Sequence, residues 1–336
     1  MKVFTLAMLP KRVLAELSLE TSFMASMAVV VAERFQIFRE LGRRKLSVTS
    51  IAKMIDASPR YLGHLLDGLV ALGLLNKSGN LYQNTALSSE YFVIGRTINW
   101  TRRFSSECVE YFEAIGVLEK VIRHGKNCTA FIGKKRQDYV ESMKRDPERA
   151  RDFTLMLYDY HQTDAKLLAR ALDLRLFRSI LDVGGGSGVM SIALVRKNPR
   201  LKAVILDIEP VCKVAGELIE KGELSRRINT AVGDIHDDLP KGHDVILFCD
   251  VGQIHGSMVR RAFASLPSRG MLVLVDRFLS SDKTKPIDRV LHQLIGSSFG
   301  SQTRDELRSI LKSCGFKRVK SRHLGGGLWL IRGSKP

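Results

Sequence analysis

From residue 179 to residue 276 the chain repeats a short apolar run followed by a helical or loop segment. The runs are Ser179–Val183, Ala203–Ile208, Thr230–Ile235, Asp244–Cys249 and Met271–Asp276. Each is too short to be a stable helix. The segments between them are long enough to return the chain to the starting edge of a sheet. That rhythm predicts an α/β domain built on a parallel sheet with crossovers. Two last runs, Lys317–Leu324 and Leu328–Arg332, flank Gly325-Gly326-Gly327 and predict an antiparallel hairpin, seven strands in all.

The first strand runs into Leu181-Asp182-Val183-Gly184-Gly185-Gly186-Ser187-Gly188, which opens a helix. Glycines there let a ligand approach the backbone, and a helix N-terminus favours negative charge. The spacing is not that of a dinucleotide fingerprint, because Val189 stands where its third glycine belongs. Asp182, two residues before Gly184, would repel a pyrophosphate but suits a cation. Asp207 ends the second strand, 25 residues after Asp182, placed for ribose hydroxyls. Gly233-Asp234-Ile235 ends the third, where a carboxylate can receive an adenine amino group. A cationic centre, a ribose and an adenine together describe S-adenosylmethionine.

Upstream, residues 48–93 predict helix, turn, helix and hairpin, a winged helix. Ser58-Pro59 starts the second helix, whose Leu62, Leu65, Leu66, Leu69 and Leu72 form one apolar face. Its other face offers Arg60, Tyr61, His64 and Asp67, a poor reader of a DNA major groove. Residues 104–170 read as helical. The expected organisation is therefore a helical winged-helix domain over 1–103 and an α/β domain over 104–336, with 104–175 bridging to a sheet core over 176–336.

Composition sets the class. With 45% hydrophobic and 26% charged residues the chain is an ordinary globular one. Its five cysteines form no CxxC pair and no metal-ligand spacing, which argues for a reducing, cytoplasmic setting and no metal. The longest apolar run, Phe23–Ala32, is half a membrane span, and the first ten residues lack a signal-peptide pattern. Net charge is +18, but it is spread, +8 over residues 1–150 and +10 over the remainder. Lys134-Lys135-Arg136 and the last thirty residues, with eight basic groups and no acid, are the local concentrations.

These motifs resemble the S-adenosylmethionine-dependent methyltransferases of the small-molecule O-methyltransferase family, which includes the caffeic acid and hydroxyindole enzymes. The likeness runs through Ile51-Ala52-Lys53 to Leu72-Gly73-Leu74-Leu75, Phe153-Thr154-Leu155-Met156, Leu181–Gly188, Leu206-Asp207, Gly233-Asp234 and Thr303–Phe316. It implies a Rossmann-like methyltransferase domain, a winged-helix dimerisation domain and a homodimer with the Phe23–Ala32 helix at the subunit interface. It also implies transfer of a methyl group to a small-molecule acceptor, usually a hydroxyl, leaving S-adenosylhomocysteine. The implied cofactor set is Asp182, Gly184, Gly185, Gly186, Asp207, Ile208, Asp234, Ile235, Cys249 and Met156, with Met156 and Phe299 shielding the sulfonium.

In that family a histidine after the fourth strand takes the acceptor's proton, steered by a carboxylate. His255 and Asp276 are the candidates here. In an ungapped register Gln253 falls on the histidine's position, Gly256-Ser257-Met258 replace the usual acid and tryptophan, and a further carboxylate falls near Ser301 or Gln302. Asp288-Arg289-Val290-Leu291-His292 and Phe248-Cys249 instead resemble bacteriochlorophyllide C-20 methyltransferase, which methylates carbon on a large ring. His292 is therefore a second candidate base. His64, His124, His161, His236, His243 and His323 are expected to be surface or packing residues. The competing class is a winged-helix nucleic-acid-binding regulator whose methyltransferase fold only senses the ligand.

Overall fold

The computed structural model describes residues 9–93, 108–133, 139–295 and 302–336. Lys134-Lys135-Arg136, Phe299 and Ser301 lie outside the described residues, as does the expected 103/104 boundary. Contacts divide the chain into two compact units, 1–113 and 114–336.

The first unit contains α1 (Lys11–Glu16), α2 (Leu19–Arg34), α3 (Ile37–Leu41), β1 (Leu46–Ser47), α4 (Val48–Ile55), α5 (Pro59–Ala71), β2 (Leu75–Ser78), β3 (Leu81–Asn84) and α6 (Ala86–Phe92). The expected winged helix is present. Ser47 caps α4 by accepting from the Ser50 amide, and Pro59 sits in the first turn of α5. Leu62, Leu66 and Leu69 of α5 are buried, and the hairpin β2–β3 is joined by β1 in the order β1-β3-β2. Asp67, expected on an exposed reading face, is held by Lys77 Nζ (2.6 Å) and the Tyr82 hydroxyl (2.8 Å) of the wing.

The apolar helix α2 is only half covered. Val29, Val30 and Ala32 are buried, but Phe23 and Met24 are 51% and 62% exposed. Phe23, Met27 and Val31 of α2 and Tyr61, Leu62 and Leu65 of α5 line a groove of about 580 Å³.

The second unit follows α7 (Cys108–Ile115), within which the division falls. It holds α8 (Leu118–His124), α9 (Tyr139–Arg145), α10 (Pro147–Tyr160) and α11 (Gln162–Ala171). Then come β4 (Ser179–Val183), α12 (Val189–Lys197), β5 (Lys202–Asp207), α13 (Glu209–Lys221), β6 (Ile228–Val232), β7 (Val245–Cys249), α14 (Gly256–Ser265), β8 (Met271–Asp276), α15 (Ile287–His292), α16 (Arg304–Ser313), β9 (Lys317–Gly325) and β10 (Leu328–Ser334).

The sheet order is β6-β5-β4-β7-β8-β10-β9. The first five strands are parallel; β10 and β9 add antiparallel at one edge. Both faces are covered, so β4, β7 and β8 read as nearly continuous apolar runs. One face packs Leu168, Ile192, Val195 and Ile219; the other packs Met258, Val259, Leu307 and Leu311. The winding reverses between β4 and β7, which opens a ligand crevice at the carboxyl ends of the strands. The third strand departs from expectation: it ends at Val232, so Gly233 and Asp234 lie in the following loop. The basic C-terminal segment becomes the edge strand β9. There Lys317, Arg318, Lys320 and Arg322 are exposed, a charged edge that discourages pairing with another sheet.

At the opposite, amino end Asp244 ties β4 to β7. Its Oδ2 accepts from the amides of Arg178 (2.7 Å) and Ser179 (3.0 Å). Asp244→Ala is expected to destabilise the protein by about 2 kcal/mol, the scale of lost charge-assisted hydrogen bonds. Because the ligand crevice is at the other end of the strands, cofactor affinity should be unchanged. Urea denaturation and calorimetry of the same variant check both halves.

Candidate functional site

The glycine turn after β4 is built by close packing. Gly188 has φ 73°, and a Cβ on it would lie 2.3 Å from Ile205 Cδ1, so only glycine starts α12 there. Gly186, at φ 55°, has open space where its Cβ would be, leaving room for a ligand. Asp207 is bonded to this turn. Its Oδ2 accepts from the Gly186 amide and its Oδ1 from the Ile208 amide, each at 2.8 Å. Each oxygen keeps a free lone pair for a ribose hydroxyl.

Asp182 is fully buried beneath the turn. Its Oδ2 accepts from Ser191 Oγ at 2.7 Å, while Oδ1 has no partner among the described residues. Burial, then repulsion from Asp207, pushes its carboxyl up to about 6. Asp234 makes a local turn, its Oδ1 accepting from the His236 amide at 2.8 Å. Ile208 is buried and Ile235 half-buried beside these groups, Met156 is buried on α10, and Cys249 closes β7 half-buried.

The expected pairing of His255 with Asp276 is not made. His255 is an exposed residue at the start of α14, and its ring has no hydrogen-bond partner among the described residues. Asp276 is buried, its Oδ1 accepting from Arg289 Nη2 at 2.7 Å and from the Arg277 amide at 2.6 Å. Gln253 is exposed. Gln302, where a family carboxylate was expected, clamps the loop instead: Oε1 accepts from the Ile254 amide (2.7 Å) and Nε2 donates to the Ile254 carbonyl (2.8 Å). His292 is half-buried at the end of α15.

His161 overturns its expectation as an ordinary histidine. It sits buried at the α10–α11 junction, with Nδ1 3.1 Å from Asp164 Oδ2 and Nε2 3.1 Å from Asp250 Oδ2. Asp164 also receives both Arg277 Nη atoms at 3.0 Å, and Asp250 Oδ1 receives Arg289 Nη2 at 3.1 Å. Six side chains from five parts of the unit thus form one buried ion network at the carboxyl ends of β7 and β8. Burial opposes charge on His161, but its bonds to Asp164 and Asp250 outweigh that and push it up to about 9. It is an imidazolium at neutral pH and cannot accept a proton. Burial also opposes charge on Asp250; the His161 bond and the His161 and Arg289 charges hold its carboxyl well below the usual range. Asp276, raised by burial and by Asp250, titrates at about 6. A sequence signal existed, since His161 and Asp164 are three apart in a helical stretch. Their partners Asp250, Arg277 and Arg289 are too remote in sequence to be read from it.

The site fits S-adenosylmethionine. The open cradle over Gly186, the Asp207 carboxylate beside it and the orphaned oxygen of Asp182 match a ribose and a cationic ligand. A family model of the O-methyltransferase domain matches residues 116–317, and one of the O-methyltransferase dimerisation domain matches 17–93. The chain therefore belongs to the O-methyltransferase family, whose members take their methyl group from S-adenosylmethionine.

Among its relatives is 3-hydroxy-5-methyl-1-naphthoate 3-O-methyltransferase of Streptomyces sahachiroi. It is 29% identical over 316 residues, covering 90% of this chain and 89% of the relative. Bacteriochlorophyllide d C-20 methyltransferase of Chlorobaculum tepidum is 28% identical over 188 residues, 52% of this chain and 55% of that one. The fold superposes on human N-acetylserotonin methyltransferase in complex with SAM with a TM-score of 0.83, at 22% identity, covering 94% of this chain and 95% of that one.

Asp207→Ala should weaken S-adenosylmethionine binding at least tenfold, because two charge-assisted hydrogen bonds are worth ~1.5–3 kcal/mol each at most. Calorimetry with unchanged affinity would remove Asp207 from the site.

The network gives a pH signature. His161 titrates at 6.5 when unfolded and about 9 when folded. Its stabilisation is complete below pH 6.5 and is lost as pH rises through 9. Roughly 3 kcal/mol should disappear over that interval, and His161→Gln should flatten the slope. Urea denaturation across the interval reads it directly.

Proposed function

We infer that the acceptor is an aromatic hydroxyl compound and that His292, rather than His255, removes its proton. The observation that carries this reading is the anchoring of α15. Arg289 reaches Asp250 and Asp276 at the ends of β7 and β8, and His292 follows it by one helical turn, on the same side. His255 has no such tie to the crevice. The S. sahachiroi relative's name places its methyl group on a hydroxyl of a naphthoate, which supports an aromatic hydroxyl here.

When bound, S-adenosylmethionine supplies an activated methyl group on a sulfonium. The protein then needs chiefly to align the acceptor and accept one proton. Asp207 and the glycine turn hold the cofactor's ribose end, and Met156 lies buried on α10 to keep water from the sulfonium. His292 accepts the hydroxyl proton. The stretch Asp288–His292 keeps carbon as the alternative acceptor.

His292→Ala should lower turnover 10²–10⁴-fold with cofactor affinity intact, and His255→Ala should be near wild type. Labelled-methyl transfer to a panel of hydroxynaphthoates and hydroxyindoles measures both, and product NMR shows whether the methyl is on oxygen or carbon. The reverse ranking of the two variants would return the role to His255.

The protein is further read as a homodimer formed through its first unit, which matches the dimerisation model over 17–93. The exposed Phe23 and Met24 and the groove beside them support this. Light scattering should give a dimer at micromolar concentration, and Phe23→Glu with Met24→Glu should give a monomer. A monomeric wild type sinks the reading. No helix among the described residues is long and apolar enough to cross a membrane. Buried, unbridged Cys128 and Cys212 support a cytoplasmic setting.

A further inference from the structure

The buried ion network has one open face. The side chains of His161, Asp164, Arg277, Arg289 and Asp276 are 4–9% exposed, whereas that of Asp250 is 21% exposed. Asp250 is the first residue after β7, on the strand beside β4, so its open face belongs to the crevice at the point where the winding reverses. The turn it begins lies against the glycine turn: a Cβ on Gly184 would come within 2.9 Å of Val251 Cγ1.

Its backbone is left-handed, φ 53°, and its amide donates to the Val275 carbonyl at 3.1 Å. Both carboxylate oxygens are taken by cations, Oδ2 by His161 and Oδ1 by Arg289. Three cations and three carboxylates cancel in the interior. Of the six, the Asp250 carboxylate is nevertheless the most open, and the cations are more deeply buried.

We propose that Asp250 is a specificity-determining residue that favours the charged sulfonium of S-adenosylmethionine over the uncharged thioether of S-adenosylhomocysteine. The inference rests on the assignment of the crevice to the cofactor. The two ligands differ by one methyl group and one positive charge. Contacts with ribose and adenine hold both equally, so discrimination must come from a group that acts on the charge. A carboxylate at the rim of a low-dielectric interior does so without direct contact, because fields there are weakly screened. The result is a site that holds the reactant and releases the product once the charge is gone. His161 and Arg289 are positioning residues for this carboxylate: removing Asp250's charge leaves three cations against the two carboxylates of Asp164 and Asp276.

The test is calorimetry on the full-length protein with S-adenosylmethionine and S-adenosylhomocysteine as separate ligands. Asp250→Asn keeps the shape and removes the charge. It should weaken S-adenosylmethionine at least tenfold and S-adenosylhomocysteine less than threefold. His161→Gln removes a cation from the same hub and should move the ratio of affinities the other way, by about threefold or more. Thermal melts verify that each variant is folded; if Asp250→Asn is not, His161→Gln and Arg289→Gln carry the test, both raising preference for the sulfonium. Equal weakening of both ligands by Asp250→Asn, or a His161→Gln ratio shifted the same way as Asp250→Asn, overturns the proposal. A wild type that binds neither ligand overturns the cofactor assignment itself.

Discussion

The charge on Asp250 is the constraint around which the carboxyl ends of β7 and β8 are arranged. A buried carboxylate is tolerable only if cations reach it, and here they come from the α10–α11 junction and from α15. Those cations need anions in turn, supplied by Asp164 of α11 and Asp276 at the end of β8. Pairing all six fixes α10, α11 and α15 against the carboxyl ends of two adjacent strands. Well-packed apolar side chains of similar volume would serve stability as well or better, since desolvation offsets most of the attraction in a buried pair. Stability alone gives no reason to keep six charges in the interior, whereas a site that handles a cationic reactant does.

The two halves of the crevice differ in the sequence range of the contacts that build them. The cofactor side is made of short-range features: a glycine turn, a strand-end aspartate bonded to that turn and a buried acid beneath it. The side proposed for the acceptor is made of long-range contacts. Gln302 clamps the backbone of Ile254, Gln253 and His255 face solvent, and Arg289 carries α15 over the strand ends. Among the described residues no carboxylate bonds the ring of His255, the histidine after the fourth strand of the sheet core. The one histidine in the interior beside those strand ends is held protonated by two acids.

The strongly basic balance finds part of its explanation in the same sheet. Four exposed cations line β9, the terminal edge strand, where unpaired backbone would otherwise invite association. On the first unit, the aspartate of the helix that could face DNA is bonded into the wing, while apolar side chains of α2 remain open beside a groove.

The fold was legible in the sequence because its signals are local. Apolar runs bounded by crossovers gave the strands of the sheet, and Ser58-Pro59 with its leucine face gave the second helix of the winged domain. The second strand shifted by one residue, to Lys202–Asp207, and the third by more, since Ile228 and Asn229 extend it at one end while Gly233 stops it at the other. The placement of Asp182, Gly186 and Asp207 at strand ends and the turn between them was legible for the same reason. The ion network was not. His161 and Asp250 are 89 positions apart, and Asp164 and Arg277 are 113 apart. Nothing in either neighbourhood says that a histidine is buried, or that the acid expected to steer His255 will be taken by Arg289. Such pairings are decided by which strand ends the sheet order brings together, and by the rule that a charge removed from water must find its opposite. Residue by residue the sequence determined where a cofactor could be held. Only the tertiary structure decided which charges meet at the ends of β7 and β8.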